Sequence, residues 1–142
     1  MKSFSVKINI ACSPEDIWTV LMDTSSYADW AAGTQRLDGQ IANGEQLKLF
    51  TVSKPDKPMT LRVSNLDPKK TFTLSGGLPF NLFRGDRTFT LTPQADGTTE
   101  FSMCEVFSGL LSPLLGRLIP DLTESFEAYA AGLKQQCEGD SR

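Results

Sequence analysis

The sequence contains no histidine among its 142 residues. Without an imidazole group, a Ser-His or Cys-His nucleophile pair and a histidine-ligated metal site are both excluded. The three cysteines, Cys12, Cys104 and Cys137, are far apart and form no CxxC pair, which argues against a zinc site and is typical of free thiols in a reducing compartment. We therefore expect no metal, no cofactor and a cytoplasmic location.

Long apolar runs and blocks of like charge are also missing. No window is long and apolar enough to span a bilayer, and the chain starts with alternating polar and apolar residues where a signal peptide needs a continuous apolar stretch. The formal net charge of −3 and the pI of about 4.9 argue against a nucleic-acid partner. The length predicts one domain, residues 1–142, and leaves the oligomeric state open.

The hydrophobic periodicity predicts a strand, two short helices and then a series of strands. Residues 3–10 alternate as a strand with one buried face. Residues 13–23 change to a helical period with Ser13 as the N-cap, and residues 26–33 predict a second short helix that ends at Gly33. Further strands are expected at residues 45–52, 59–66, 71–76, 86–93 and 98–107, with a weaker candidate at residues 35–41.

Two segments between these strands are rich in turn-forming residues. Residues 56–58, DKP, and their neighbours predict a turn, and residues 77–85, GLPFNLFRG, predict an irregular loop. The leucines and phenylalanines of that loop suit either a flexible lid over a binding site or a loop packed against the core. The strands alternate Thr and Ser with apolar residues, which indicates an antiparallel sheet exposed to water on one face and covered on the other.

The covering element is predicted to be a C-terminal helix of about 24 residues that begins near Ser112. Apolar residues recur there at three- and four-residue steps, and Pro120 is expected to kink the helix or divide it in two. The apolar residues that we expect to face the sheet are Leu118, Leu122, Phe126 and Tyr129.

This order of elements, together with four stretches of sequence, resembles the SRPBCC superfamily over nearly the whole chain. The stretches are SPEDIWTVLMDTSSYADW, LDPKKTFTLSG, RGDRTFTLTPQADGTTEF and EVFSGLLSPLLGRLI. The superfamily includes START lipid-transfer domains, birch-pollen-allergen-like proteins and polyketide cyclases, and the chain is most similar to the small bacterial polyketide cyclase/dehydrase-like and lipid-transport-like group. One departure is Ala31-Ala32, where relatives often have Asn-Pro, so we expect the pocket mouth to differ.

The resemblance implies an α+β helix-grip fold, in which a curved antiparallel sheet wraps around the long C-terminal helix and leaves an apolar cavity between them. Members of the superfamily bind hydrophobic small molecules in that cavity, and some are enzymes. We therefore expect a hydrophobic, lipid- or polyketide-like small molecule as the partner. A polyketide cyclase/dehydratase-like enzyme is the alternative, and an interaction module similar to activators of a chaperone ATPase is the third hypothesis.

Glu105 is a carboxylate within an apolar stretch, and the hairpin that contains it predicts its partner. A three-residue turn with Gly97 in the left-handed region places Arg87 opposite Glu105 on the inner face. An opposed arginine offsets much of the cost of burying a carboxylate. We favour an ion pair that closes one end of the sheet, and the other interpretation is a polar anchor for a ligand.

The remaining candidate residues share the inner face by strand parity or helical spacing, and they fit either an ordinary core or a cavity wall. Tyr129 is expected to be a core residue, although its hydroxyl could also serve a ligand. The predicted cavity residues are Trp30, Phe72, Leu74, Arg87, Phe89, Phe101, Met103, Glu105, Phe107, Leu118, Leu122, Phe126 and Tyr129.

Overall fold

The computed structural model describes the backbone of residues 2–140 and the side chains as far as Gly139. It contains a seven-stranded antiparallel sheet in the order β1-β7-β6-β5-β4-β3-β2. The strands are β1 (Lys2–Ile10), β2 (Thr34–Asp38), β3 (Gln46–Thr51), β4 (Lys54–Asp67), β5 (Thr71–Leu78), β6 (Phe83–Pro93) and β7 (Thr99–Ser108). The helices are α1 (Pro14–Met22), α2 (Tyr27–Trp30), α3 (Ser112–Leu115) and α4 (Thr123–Asp140).

The first strand and the first helix form as the sequence predicts. Every second residue of β1 is the less exposed one, and the pattern ends at the fully buried Ile10. The Ser13 Oγ accepts a hydrogen bond from the Asp16 amide at 3.2 Å, which confirms Ser13 as the N-cap of α1. The second helix is shorter than predicted, because a 3₁₀ turn, Thr24–Ser26, leads into an α2 that ends at Trp30.

Strands β3 and β4 form a hairpin whose turn comes earlier in the chain than expected. Thr51 pairs with Lys54, so the chain reverses at residues 52–53, whereas residues 56–58, around which the turn was predicted, belong to β4. Pro55 and Pro58 lie where β4 shifts register against β3 and does not pair with β5. Proline is tolerated in a strand at bulges and edges of this kind, because few ladder hydrogen bonds are lost there.

Residues 77–85, expected to be an irregular loop, belong mostly to a regular hairpin between β5 and β6. The two strands stay paired up to the turn, where the Leu82 amide donates to the Pro79 carbonyl at 3.2 Å. Both central residues, Phe80 and Asn81, have left-handed backbone angles, with φ of 60° and 56°. A type I′ turn needs that geometry, and the usual signal for it is Asn-Gly or Asp-Gly. The loop prediction is therefore wrong because phenylalanine occupies a position that glycine or asparagine normally fills.

The β6–β7 hairpin has the predicted register. Leu91 lies opposite Phe101, and Arg87 lies opposite Glu105. Gly97 has a φ of 88°, the left-handed value expected at this position of the turn. The predicted pairing of an arginine with a carboxylate on the inner face is thus confirmed.

The C-terminal helix is divided, as Pro120 predicts. A 3₁₀ turn, Gly116–Leu118, follows α3, and α4 begins at Thr123 and has 18 residues, fewer than expected. Because Leu118 precedes the break, it does not continue the apolar stripe of α4. Its side chain is 78% exposed, so the prediction that Leu118 faces the sheet is wrong.

Helix α4 packs along β1 and follows it from one end of the sheet to the other. Near its start, the rings of Phe126 and Phe4 lie 6.2 Å apart between centroids. Further along, the Lys134 Nζ donates to the Asn9 carbonyl at 2.9 Å. An antiparallel sheet that grips a C-terminal helix is the α+β helix-grip fold that the sequence predicts. Among residues 2–140, no helix is long and apolar enough to cross a membrane.

The two faces of the sheet differ in polarity. On the outer face, for example, the hydroxyls of Thr73 and Thr88 lie 3.1 Å apart on neighbouring strands. The inner face carries the buried core beneath the helices. Strand pairing brings the β3–β4 turn, the β5–β6 turn and the end of β7 to the same end of the sheet, which we call the hairpin end.

Candidate functional site

Most of the predicted cavity residues form a closely packed cluster beneath the helices, which we call the aromatic core. The rings of Phe72 and Phe89 stack with their centroids 4.4 Å apart, and Trp30 lies edge-on to Tyr129 at 5.1 Å. Rings in mutual contact are typical of a filled core, so this part of the inner face favours the core interpretation. The members, none more than 8% exposed, are Trp30, Phe72, Leu74, Phe89, Phe101, Met103 and Tyr129.

Arg87 and Glu105 form an ion pair at the border of the aromatic core. The Arg87 Nε donates to the Glu105 Oε1 at 2.6 Å, and the two side chains are 31% and 14% exposed. The guanidinium also lies over the ring of Phe126, 4.8 Å from its centroid, where the negative face of the ring attracts it. The pair is therefore held in place by its neighbours and is still reached by solvent.

Two glycines on adjacent strands leave room for the side chains that pack around this pair. A Cβ on Gly85 would lie 2.7 Å from the Glu105 Oε2 and 3.0 Å from the ring of Phe107. Its cross-strand neighbour is Gly76, where a Cβ would lie 2.9 Å from the side chain of Leu61. Because neither glycine has a side chain, the neighbouring side chains can lie flat across the inner face at this point.

Phe107 and Phe126 belong to a second group of rings, between the ion pair and the hairpin end. Phe107 stacks with Phe83 at 5.8 Å and meets Phe4 edge-on at 6.4 Å. Sequence reasoning did not include Phe4 and Phe83 in the site. Phe4 could have been included, because in β1 it points to the same face of the sheet as the buried Ile10. Phe83 could not be assigned to a face, because the segment that contains it was expected to be a loop.

The Tyr129 hydroxyl is buried and has no hydrogen-bond partner of good geometry among the described residues. The Tyr27 hydroxyl is close enough to affect the pKa of Tyr129, but it donates its own proton to the Leu21 carbonyl at 2.7 Å. Burial raises the pKa of both phenols, and the positive charge of Arg87 lowers the pKa of Tyr129 only in part. Tyr129 therefore keeps its proton at neutral pH, and its hydroxyl is enclosed within the aromatic core.

The inner face of β3, β4 and β5 toward the hairpin end is less covered than the rest of the sheet. Leu49 and Leu61 are half-buried there, and Met59 and Leu78 are 53% and 48% exposed. Strand pairing sets Leu49 beside Met59, and Leu61 lies over Gly76, next to the ion pair. We call these four apolar side chains the open face. None of these four residues is among the cavity residues predicted from the sequence.

Other features lie apart from this site. Leu122 is half-buried against the core, and Leu118 is on the surface. A solvent-open depression of about 530 Å³ lies between residues 24–28 and β2, and none of the predicted site residues lines it. Among the described side chains, residues 2–139, no group of three or more His, Cys, Asp or Glu is placed to hold a metal ion.

The antiparallel sheet that grips a C-terminal helix is the fold of the START-like class. Residues 1–138 match the sequence profile of the family described as polyketide cyclase / dehydrase and lipid transport. The chain belongs to this family, as the resemblance in its sequence predicts. No match was found among curated proteins.

Solved structures show the same fold. A protein from Mesorhizobium loti is 23% identical, with a TM-score of 0.77 and 99% of each chain covered. A START superfamily protein from Mycobacterium smegmatis is 17% identical, with a TM-score of 0.71 and coverage of 96% of this chain and 97% of that one. An aromatase/cyclase from a Streptomyces species is 14% identical, with a TM-score of 0.72 and coverage of 99% and 96%. At such identities the similarity establishes the fold alone.

Proposed function

We propose that this protein binds a hydrophobic small molecule that carries an oxygen-bearing head group, with the apolar part of the molecule on the open face. The observation that carries the proposal is the position of the Arg87–Glu105 pair, which is partly exposed at the border between the aromatic core and the open face. The description of the family, which includes lipid transport, supports a ligand of this class.

The apolar part of the ligand fits the open face because that surface is unfavourably hydrated. Met59 and Leu78 each keep about half of their surface in water. A ligand that covers them gains about 25 cal/mol for each Å² of apolar surface removed from water. Leu61 lies over Gly76, and Glu105 lies over the adjacent Gly85, so the open face is next to the ion pair and one molecule can contact both.

The polar part of the ligand fits the ion pair because the protein offers donors there. The Arg87 Nε is occupied by Glu105, which leaves the other guanidinium N–H groups for a ligand. These donors select a head group that accepts hydrogen bonds, such as a carboxylate, a carbonyl or a phenol oxygen. A charge-assisted hydrogen bond from Arg87 is stronger than one between neutral groups.

The acid–base properties of the site favour ligand binding over a cyclase- or dehydratase-type reaction. General acid–base catalysis works best with a group whose pKa is near the working pH. Burial raises the pKa of Tyr129 well away from neutrality, and the sequence has no histidine to take its place. Tyr129 is therefore poorly suited to remove a proton from a bound molecule.

Native mass spectrometry of freshly purified protein tests the proposal, together with thermal unfolding in the presence of lipophilic acids, ketones and hydrocarbons of matched size. We expect acids and ketones to raise the melting temperature more than the hydrocarbon, because a ligand that binds only the folded state stabilises it. No shift with any of the three classes would contradict the proposal. A bound molecule whose mass changes during incubation would favour the enzyme instead.

A further inference from the structure

The exposed apolar residues of this protein are concentrated in one region. Large apolar side chains that are at least half-exposed, or nearly so, lie on the β3–β4 hairpin, on the β5–β6 hairpin and on the segment after β7, all at the hairpin end of the sheet. Scattered exposed apolar residues are normal, but a concentration at one end indicates a contact surface. The residues are Val52, Met59, Leu78, Phe80, Leu110, Leu114 and Leu118.

Backbone hydrogen bonds join two of these segments into one surface. The Leu110 amide donates to the Asn81 carbonyl at 3.0 Å, and the Leu111 amide donates to the Leu82 carbonyl at 2.7 Å. The turn of the β5–β6 hairpin is thereby fixed against the start of α3. We call the side chains that project from this surface, Phe80, Leu110, Leu114 and Leu118, the apolar tip.

Phe80 occupies a backbone position that does not suit it. Its φ of 60° lies in the left-handed region, where a bulky side chain is strained and where glycine or asparagine is preferred. Packing within the fold does not offset this strain, because the side chain is 87% exposed. A strained residue that presents an apolar ring to solvent indicates that the ring is covered in some other state of the protein.

The segments that form the apolar tip carry only positive charge, and the nearest carboxylate is Asp121, which directly follows them and lies close enough to Lys2 for the positive charge to help lower its pKa. Residues 78–85 and 109–120 contain no acidic residue, although the chain has 17. Arg117 stands within the tip and has no ion-pair partner among the described residues, and the Lys2 Nζ lies beside it on the carbonyls of Gly116 and Ile119. The tip therefore combines exposed apolar side chains with cations, in a protein whose net charge is −3.

We propose that the apolar tip docks on an anionic lipid bilayer, with its side chains in the interfacial region and Arg117 and Lys2 at the headgroups. Protruding leucines and a phenylalanine flanked by cations match an interface with an apolar interior and negative headgroups. Leu78 of the open face is only two residues from Phe80 of the tip, so docking brings the open face close to the lipid. The docking itself does not rest on the proposed ligand binding, since it concerns only the apolar tip and its charges.

Flotation of the full chain with vesicles tests this proposal. Vesicles of neutral phosphatidylcholine are compared with vesicles in which a fraction of the lipid is anionic phosphatidylglycerol. We expect binding to the anionic vesicles that weakens as salt is added. The double variant Phe80→Asn/Leu114→Ser should bind at least about tenfold more weakly, because each side chain removes a large apolar contact.

Two matched controls separate docking from a loss of folding. Phe80→Asn alone should keep or raise the melting temperature, because asparagine tolerates the left-handed conformation, and it should still weaken vesicle binding. Arg117→Gln should weaken binding to anionic vesicles by about fivefold. Lys70→Gln, which removes a cation from the turn between β4 and β5 at the opposite end of the sheet, should leave binding unchanged.

Several results would overturn the proposal. One is the absence of flotation with either kind of vesicle, and another is equal weakening by Lys70→Gln and Arg117→Gln. A third is a concentration-dependent dimer in sedimentation experiments that Phe80→Asn abolishes, without vesicle binding. In that case the apolar tip would contact a second copy of the chain. None of these results depends on whether a small molecule binds the open face, which is tested in the absence of vesicles.

Discussion

Arg87 on β6 and Glu105 on β7 lie directly opposite each other, and the Arg87 Nε donates to the Glu105 Oε1 at 2.6 Å. The pair stands between a packed aromatic core on one side and half-exposed apolar side chains on the other. An arginine held by a neighbouring carboxylate is fixed in position before a ligand arrives, which lowers the entropic cost of binding one. The same contact also stabilises the sheet, and the two roles can be separated by experiment.

A double-mutant cycle measures the structural role of the pair. We expect Arg87→Met and Glu105→Gln each to lower the free energy of unfolding by about 1–2 kcal/mol, with a coupling energy of about 1 kcal/mol, because the pair is only partly screened by solvent. The Arg84–Asp86 pair provides the control on the outer face of β6, where Arg84 is 53% exposed and a smaller coupling is expected. Urea unfolding gives the values, and a coupling near zero for Arg87 and Glu105 would refute the ion pair.

Gly132 tests the packing of α4 against the end of α2. A Cβ at this position would collide with the Trp30 carbonyl oxygen, which cannot move without shifting the backbone. Gly132→Ala should therefore destabilise the protein by about 2–3 kcal/mol, although alanine is normally the better helix former. Gly139 lies in the same helix with open space around it, so Gly139→Ala should be neutral or stabilise by up to about 1 kcal/mol. Equal effects in thermal unfolding would disprove the close approach of the two helices.

The two buried tyrosines are expected to respond in opposite ways to removal of the hydroxyl. Tyr27→Phe loses the hydrogen bond to the Leu21 carbonyl and should destabilise by about 1 kcal/mol. Tyr129→Phe removes a buried hydroxyl without a partner, so the ligand-free protein should be unchanged or more stable by up to about 1 kcal/mol. A clear loss of stability in Tyr129→Phe would mean that its hydroxyl is already satisfied in the ligand-free protein.

Alkaline pH should destabilise the protein through the same two phenols. Burial raises the pKa of Tyr27 and of Tyr129 in the folded state. Above the unfolded value of about 10, the unfolded chain loses protons that the folded state retains, so stability is complete below that pH and falls as pH rises. The fall should reach about 1.4 kcal/mol per pH unit for each phenol. Urea unfolding between about pH 8 and 11 should show a shallower slope for the double variant Tyr27→Phe/Tyr129→Phe, and an unchanged slope would contradict the assignment.

Local rules were sufficient to predict much of the fold. The turn ending at Gly97 set the register of β6 and β7, and with it the contact between Arg87 and Glu105. Ser13 and Pro120 marked the start of α1 and the break before α4, because capping and the missing proline amide act within one helical turn. Features that depend on residues close in sequence could therefore be derived without the structure.

The parts that sequence reasoning missed depend on contacts between distant elements or on strained geometry. Residues 77–85 predict a loop but form the β5–β6 hairpin, because Phe80 adopts a turn conformation that its side chain disfavours and that the sequence therefore does not indicate. Met59 and Leu78 were not placed in the site, because their exposure depends on which strands α4 covers. Leu118 was assigned to the inner face as if the helix were continuous, and its exposure follows from the break.

The most direct test of ligand binding at the open face is a titration with a fluorescent long-chain fatty acid, in solution and without membranes. The account predicts saturable binding of one molecule per chain, weakened about tenfold by Arg87→Met through loss of a charge-assisted hydrogen bond. Leu61→Ser on the open face should weaken binding as well, and Arg84→Gln on the outer face should leave it unchanged. Absence of saturable binding, or equal weakening by Arg84→Gln and Arg87→Met, would contradict the account.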